Sequence, residues 1–168
     1  MLIVRPLEAH EWPLYRALRL AALRDAPDAF CSTLAREATF PEQEWISRLA
    51  DGVASSRECP LVAEDAQAVA LCWVRIDPND ATTAALYQVW VDPIARRRGV
   101  GRRLLEAAMS WAREAGAHTM VLSVALGRDS AIDLYRGAGF VEVGLPSVLR
   151  EDSEILQQHM QCNLVAHA

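Results

Sequence analysis

A short segment rich in arginine and glycine, set between an apolar run and an amphipathic pattern, constrains the fold most. Residues 84–91 (AALYQVWV) are apolar with aromatic and β-branched side chains, which predicts a buried strand. Residues 96–103 (RRRGVGRR) follow, and apolar side chains then recur at helical spacing to about residue 115. The order of strand, turn and helix predicts an α/β unit at the centre of the chain.

The arginines of this segment fall in the first turn of the predicted helix. The free N–H groups of a helix make its N-terminus electropositive, so acidic residues are favoured there and cationic residues are not. Gly99 and Gly101 remove side chains, which lets backbone N–H groups close on a bound anion. We interpret the segment as a cradle for a pyrophosphate group.

The composition of the chain excludes several classes of protein. The chain has 168 residues, 52% hydrophobic and 23% charged, which predicts one globular domain over residues 1–168. All 17 basic residues are arginine, which excludes a lysine Schiff base and a P-loop lysine. The net charge of −5 argues against a nucleic-acid-binding protein, whose domain is expected to be basic.

Cysteine, histidine and hydropathy patterns indicate a reducing compartment and no membrane span. The four cysteines lack CxxC spacing and are expected to be mostly buried hydrophobic residues. No metal-ligand spacing is found among the histidines at positions 10, 159 and 167, so no metal is expected. No run approaches the roughly 18 apolar residues of a membrane span, and no signal peptide is recognised, so a cytoplasmic location is expected.

The predicted order of elements along the chain is β α α β β β α β α β β. This order is typical of an α/β domain with a mixed sheet. Strands are predicted at residues 2–4, 59–63, 69–76, 84–91, 119–126 and 140–143, with a last one inside 154–164. Helices are predicted at residues 11–24, 41–51, 100–115 and 131–136.

With its elements in this order, the chain resembles the GCN5-related N-acetyltransferase (GNAT) superfamily. The acetyl-CoA loop of that family, (Gln/Arg)-x-x-Gly-x-(Gly/Ala), appears as residues 96–101 after Val91-Asp92-Pro93. A second signature, Ala-Ile-x-Leu-Tyr-x-x-x-Gly-Phe, appears intact at residues 131–140. The two motifs lie about 30 residues apart on the predicted elements, and the detailed match covers residues 84–143.

The resemblance implies a single-domain GNAT-like α/β fold. Its central sheet would be mixed, mostly antiparallel and twisted, with about six to seven strands flanked by about four helices. Strands 84–91 and 119–126 would splay apart to hold the cofactor, acetyl-CoA. The cofactor-binding residues that the resemblance implies are Val89, Val91, Arg96, Arg97, Arg98, Gly99, Val100, Gly101 and Arg102. The family commonly has Asn where this chain has Arg128, and Arg128 could contact a cofactor phosphate instead.

Acetyl transfer to an amine requires a neutral amine, a stabilised oxyanion and a proton for the departing thiolate. Tyr135 matches the family's tyrosine near the thioester, and a phenol with a pKa of about 10 is protonated at neutral pH. Backbone N–H groups near Val89 or Val91 could stabilise the oxyanion. The base stays open between three carboxylates and water without a dedicated base, the three being Glu37, Glu64 and Asp65. Trp45 could line the acceptor site, although core packing is its expected role.

Three functional hypotheses follow. The first is an acetyl-CoA-dependent N-acetyltransferase that uses a primary amine by direct transfer in a ternary complex, with a small-molecule acceptor favoured over a protein or peptide amine. The second is a CoA-binding regulatory module without turnover, favoured by Arg128 and by the absence of an acid on strand 84–91. The third, an anion- or RNA-binding module, conflicts with the acidic net charge. An exposed C-terminal strand would also allow a homodimer.

Overall fold

A mixed sheet of eight strands forms the centre of the computed structural model, which describes residues 1–165. The strands lie in the order β1-β2-β3-β4-β5-β8-β6, with β7 also paired to β8. All neighbouring strands are antiparallel except β4 and β5, which are parallel. The strands are β1 Ile3–Pro6, β2 Glu58–Asp65, β3 Gln67–Asp77, β4 Asp80–Val91, β5 Thr119–Ala125, β6 Val141–Glu142, β7 Ser147–Val148 and β8 Leu156–Asn163.

Five α-helices cover the two faces of this sheet within residues 1–165. They are α1 Trp12–Asp25, α2 Leu34–Glu37, α3 Glu42–Ala54, α4 Val100–Glu114 and α5 Asp129–Gly137. Alternate residues of β2 belong to different cores, since Leu61 packs in the core formed with α4 and Val62 in the core formed with α1 and α3. Because neighbouring strand residues point to opposite faces, each face of the sheet has its own core.

The predicted splay between the two central strands is confirmed. β4 pairs with β5 only through Thr83, Ala84 and Ala85, so the rest of β4 has no partner on that side. A β-bulge increases the divergence: Tyr87 pairs with Trp73 and Trp90 with Leu71, which leaves two β4 residues opposite one β3 residue. The result is a gap that opens toward the arginine-rich turn.

The fold confirms the predicted class and corrects some of its details. The structure has eight strands and five α-helices where about seven and four were predicted. The two unpredicted elements, α2 and β7, are four and two residues long, too short for periodicity to show. β4 begins at Asp80 rather than at residue 84, because Asp80 pairs with Asp77 across a tight turn.

The cysteines are mostly buried, as the sequence predicts. Cys59, Cys72 and Cys162 are buried and Cys31 is exposed, and all four are free thiols. No helix in residues 1–165 is both long and apolar enough to cross a bilayer. Over the same part of the chain, no three His, Cys, Asp or Glu residues are grouped to hold a metal ion. His167 lies outside the described residues.

Candidate active site

Six consecutive backbone N–H groups lie open at the start of α4. The N–H groups of residues 97–102 donate to no protein acceptor in residues 1–165, and the first N–H bonded at this helix start is that of Arg103, to the Gly99 carbonyl at 3.0 Å. Arg97 and Gly99 adopt positive φ angles of 64° and 77°, the left-handed conformation that occurs in anion-binding turns built from successive N–H groups. No acidic side chain occupies the first turn of the helix. The arrangement suits an anion with several acceptor oxygens.

Gly101 keeps the floor of this cradle open. A Cβ atom at this position would lie 3.2 Å from Leu134 Cδ2 on α5 and 3.6 Å from Val91 Cγ2 at the end of β4. A side chain here would therefore enter the space between β4, α4 and α5. Gly101 thereby lets the start of α4 lie close to Leu134 and to the end of β4, beside the gap.

Some of the arginines predicted to bind the cofactor form ion pairs within the protein, and others do not. Arg96 donates to the Val91 carbonyl at 2.9 Å and forms an ion pair with Asp25, so it fixes the turn to the end of α1. Arg102 pairs with Glu106 at 3.2 Å. Arg97 and Arg98 are exposed, and no carboxylate of residues 1–165 lies within 4 Å of either. Val100 is buried in the core, so only its backbone can reach a ligand.

Asp25 makes several polar contacts beside the cradle. Burial raises the pKa of Asp25, but the Trp90 N–H, Arg96 and the charge of Arg128 lower it overall. Arg128 therefore lies close enough for its charge to lower the pKa of Asp25, which is next to the arginine-rich turn. A direct role of Arg128 in phosphate binding stays a prediction.

The free edge of β4 presents backbone groups to the gap. The Asp92 N–H donates to the Val69 carbonyl at 2.8 Å, so strand alternation turns the N–H and C=O of Val91 away from β3 and toward the gap. Val89 lies in the bulge beside Gln88, whose φ of 56° is unusual for a residue other than glycine. The Val91 carbonyl already accepts from Arg96 at 2.9 Å, so the N–H groups of this edge are the ones placed to hydrogen-bond an amide-rich ligand arm and a developing oxyanion.

Tyr135 lies on the α5 side of the gap. Its ring is 6% exposed and packs edge-to-face against Phe140, with the ring centroids 5.8 Å apart. Burial, with a smaller contribution from Cys72, raises the pKa of Tyr135. The hydroxyl has no hydrogen-bond partner in the described chain, although its residue is mostly enclosed. It is therefore protonated and available as a donor.

The three carboxylates considered as bases are engaged in ion pairs. Glu37 is buried and accepts from Arg19 at 2.8 and 3.1 Å. Glu64 accepts from Arg5 at 2.7 Å, and Asp65 lies 3.4 Å from the N-terminal amine. None of the three borders the cleft described next. Trp45 is fully buried in the core with α1 and α3, so its expected packing role is confirmed.

A cleft of about 350 Å³ opens beside the bulge, on the face covered by α1 and α3. It is lined by Gln88 together with Tyr15, Arg48, Asp51, Glu58, Trp73 and Tyr87. Glu58 was missed by the sequence analysis because it precedes the predicted strand by one residue. Alternation along β2 would have placed it on the face of Val62, but only the strand register brings it near Tyr87.

The fold and the cradle together define an α/β protein with a candidate anion site at the mouth of two splayed strands. The model of the acetyltransferase (GNAT) family matches residues 17–140. The chain belongs to this family, which uses acetyl-CoA as acyl donor.

The individual relatives match either over a short part of the chain or at low sequence identity. N-alpha-acetyltransferase RimI of Mycobacterium tuberculosis is 40% identical over 60 residues, 36% of this chain and 36% of that protein. The matches cover between 16% and 47% of the length of the curated relatives. The yncA protein of Salmonella typhimurium, solved with its cofactor acetyl-CoA, superposes with a TM-score of 0.81 at 20% identity, covering 100% of this chain and 96% of that one. Spermidine N-acetyltransferase of Vibrio cholerae, solved with CoA and spermine, gives 0.78 at 20% identity, covering 97% and 95%.

Proposed function

We propose that the protein is an acetyl-CoA-dependent N-acetyltransferase that acts on a primary amine of a small molecule by direct transfer in a ternary complex. The observation that carries this proposal is the run of six open N–H groups at the mouth of two splayed strands. The cradle suits the pyrophosphate, and the free edge of β4 suits the amide-rich arm of the cofactor. Gly101 supports the same fit, since a side chain there would enter the space beside the gap.

Acetyl-CoA supplies a thioester whose acetyl group can pass to an amine nitrogen. The protein's contribution begins with binding, through the N–H groups of residues 97–102 and the unpaired guanidinium groups of Arg97 and Arg98. The N–H groups near Val89 and Val91 stabilise negative charge on an acyl oxygen placed at the bulge. Holding the two reactants close together in one site also raises the rate of transfer.

Tyr135 acts as a hydrogen-bond donor to the departing sulfur. A thiol has a pKa of about 8.5 and a phenol about 10, and burial raises the pKa of Tyr135 further. Complete proton transfer from Tyr135 to a thiolate is therefore uphill. The stabilisation comes from a charge-assisted hydrogen bond as charge develops on sulfur, which contributes roughly 1.5–3 kcal/mol.

A small-molecule acceptor is supported by the size and the aromatic lining of the cleft on the acceptor side. The cleft has a volume of about 350 Å³ and three aromatic walls, Tyr15, Trp73 and Tyr87. Arg150 joins the β7–β8 connection to the loop after α1, donating to the carbonyls of Phe30 at 2.8 Å and Pro27 at 3.2 Å. These two segments are thereby tied together instead of leaving an open peptide groove between them. Acetylation of a protein or peptide amine is the competing outcome of the test below.

Calorimetry with acetyl-CoA, followed by a thiol-release assay with small amines and peptides, tests the proposal. We expect binding to wild-type protein, thiol release that depends on a small amine, and at least a roughly 100-fold loss of cofactor affinity in Gly101→Glu. The introduced carboxylate would repel phosphate in addition to entering the space beside the gap. Gly137→Ala is the matched control, because no atom lies within 4 Å of a Cβ at that position.

Two results would contradict the proposal in different ways. Tight cofactor binding without thiol release by any amine would identify a regulatory CoA-binding module. Absence of binding at millimolar acetyl-CoA would remove the enzyme assignment altogether. The cytoplasmic location and the homodimer stay predictions. Exposed apolar side chains near the C-terminal strands, Val141, Leu145 and Val148, are consistent with a dimer contact that light scattering would measure.

A further inference from the structure

We propose that Glu58 binds the ammonium group of the acceptor and accepts its proton, and that the acceptor is a cationic amine without a carboxylate group. The apolar part of this amine lies against the rings of Trp73 and Tyr87. This inference rests on the proposed function, since it concerns the acceptor side of the same site. It is carried by the geometry of one carboxylate and by the charge balance of the cleft around it.

The Glu58 carboxylate is fixed in place through one of its two oxygens. Oε1 accepts the indole N–H of Trp73 at 3.1 Å and lies 3.4 Å from the hydroxyl of Tyr87. Burial raises the pKa of Tyr87, and Glu58 raises it further, so this phenol stays protonated and acts as the donor. Oε2 has no partner within the described part of the chain. One oxygen therefore remains to accept a hydrogen bond from a ligand in the cleft.

The cleft lies next to the position where acyl transfer is proposed. Gln88 lines it and forms the bulge with Val89. The hydroxyl of Tyr15, on α1, donates to Gln88 Oε1 at 2.9 Å and holds that side chain in place. An amine bound at Glu58 is thus adjacent to the free edge of β4.

The positive charge of Arg48, the arginine that lines the cleft, is already balanced by two carboxylates of the protein. Arg48 pairs with Glu44 at 3.0 Å and with Glu37 at 3.5 Å, and its guanidinium lies 4.6 Å from the centre of the Phe40 ring. Glu37 in turn pairs with Arg19. Two arginines and two glutamates thereby balance one another, so Arg48 is a weak site for a substrate carboxylate.

The uncompensated charges that face the cleft are mainly negative. Asp51 and Glu58 line it, and neither has a cationic side chain within 4 Å in residues 1–165. Arg75 is the cross-strand neighbour of Glu58 and lies over the Tyr87 ring, 5.5 Å from its centre, so it offsets one of these two negative charges and leaves the other. Cationic ligands are favoured by this balance, and zwitterionic or acidic ligands are not.

Two aromatic rings complete the cleft beside Glu58. Trp73 and Tyr87 are stacked, with centroids 6.2 Å apart and an interplanar angle of 28°. The faces of such rings attract cations and apolar groups, by roughly 0.5–2 kcal/mol for a cation. An amine with an apolar body satisfies both the carboxylate and the rings.

The proton balance of this step is simple. Glu58 Oε2 takes up one proton from the ammonium group as the nitrogen's electron pair bonds to the acetyl carbon, so the proton transfer, uphill by itself, is coupled to the formation of that bond. The bond from that carbon to sulfur breaks, and its electron pair leaves with sulfur. The nitrogen's second proton ends on sulfur, and Glu58 returns its proton to solvent.

The test measures amine binding separately from turnover. Wild-type protein saturated with CoA is titrated calorimetrically with benzylamine, butylamine and 4-aminobutanoate, and kcat and KM are then measured with acetyl-CoA. We expect the two monoamines to bind at least 10-fold more tightly than 4-aminobutanoate. Glu58→Gln, which keeps an acceptor for Trp73 and Tyr87, should weaken monoamine binding at least 10-fold and leave CoA affinity unchanged.

Three controls keep the result interpretable. Glu58→Asp retains the charge and should recover part of the affinity, which a merely structural role would not produce. Glu114→Gln removes an exposed carboxylate at the end of α4 and should change nothing. Melting temperature reports folding of each variant.

The inference is overturned by equal amine affinity in wild type and Glu58→Gln, by preference for 4-aminobutanoate, or by a wild-type CoA complex that binds none of these amines. Loss of CoA binding by the wild type would instead contradict the proposed function itself.

Discussion

The two halves of the site offer different kinds of chemical groups to a ligand. The donor half comprises the end of β4, α4 and α5, and offers a ligand mainly backbone N–H groups. The acceptor half comprises α1, α2, α3, the start of β2 and the facing parts of β3 and β4, and offers side chains. Backbone groups accept any elongated phosphate ester with an amide arm, while side chains select by charge and shape. A family can therefore keep one donor half and vary the other.

The halves also differ in how they are stabilised. Among residues 1–165 the buried charged side chains are Arg19 and Glu37, and both belong to the acceptor half. The donor half is held by apolar contacts, such as those of Leu104 and Leu105 on α4. Acceptor geometry should therefore depend on pH and on single charges, whereas in the donor half such dependence should be confined to the Arg96–Asp25 pair at the turn.

The largest expected effect is that of Glu37→Gln on stability. Removing one member of a buried ion pair leaves the Arg19 charge uncompensated, and Arg19 Nη1 already lacks a hydrogen-bond partner. We expect a loss of about 3 kcal/mol in the free energy of unfolding, or roughly 6–12 °C in melting temperature. Chemical denaturation measures the change. Glu44→Gln, which breaks a half-buried i,i+4 pair, should cost no more than about 0.5 kcal/mol.

The same pair predicts a pH dependence with a definite sign. Burial raises the pKa of Glu37, but the hydrogen bonds and charge of Arg19 lower it overall, below its unfolded value. The stabilisation is complete above the unfolded pKa and is lost as the pH falls through the folded pKa. Hydrogen exchange on acidification should therefore expose α1 and α2 before α4. Uniform loss of protection would contradict the contrast between the halves.

Tyr135→Phe is expected to have the next largest effect. It removes the donor to the leaving sulfur while keeping the ring against Phe140, so kcat should fall about 10- to 100-fold with the affinity for acetyl-CoA unchanged. Since burial raises the pKa of Tyr135, the wild-type rate should show no loss of this donor up to about pH 10. Steady-state kinetics and calorimetry on both proteins check this. Unchanged kcat in the variant would remove Tyr135 from the chemistry.

The contrast also explains what the sequence could predict. Most of the donor half is local: the glycine positions, the strand before them and the helix after them all lie within residues 80–114, and each has a physical signature. The acceptor half joins Tyr15, Glu58 and Tyr87, which are far apart in the chain and meet only through sheet register. A carboxylate such as Glu58 has no sequence signature that separates it from Glu37 or Glu64. Burial and ion pairing decide among them, and both are properties of the folded chain.

Arg98→Ala gives the smallest predicted effect, and it measures how much the donor half depends on side chains. One exposed guanidinium near phosphate contributes about 1 kcal/mol, so the dissociation constant for CoA should rise only about 5-fold at low salt. The difference should shrink in 1 M salt, where the Debye length is about 3 Å, while binding to the N–H groups persists. Arg36→Ala, an exposed arginine on α2, is the control. Complete loss of binding in Arg98→Ala would mean that arginine side chains, and not the backbone, form the cradle, and the two halves would then be alike in kind.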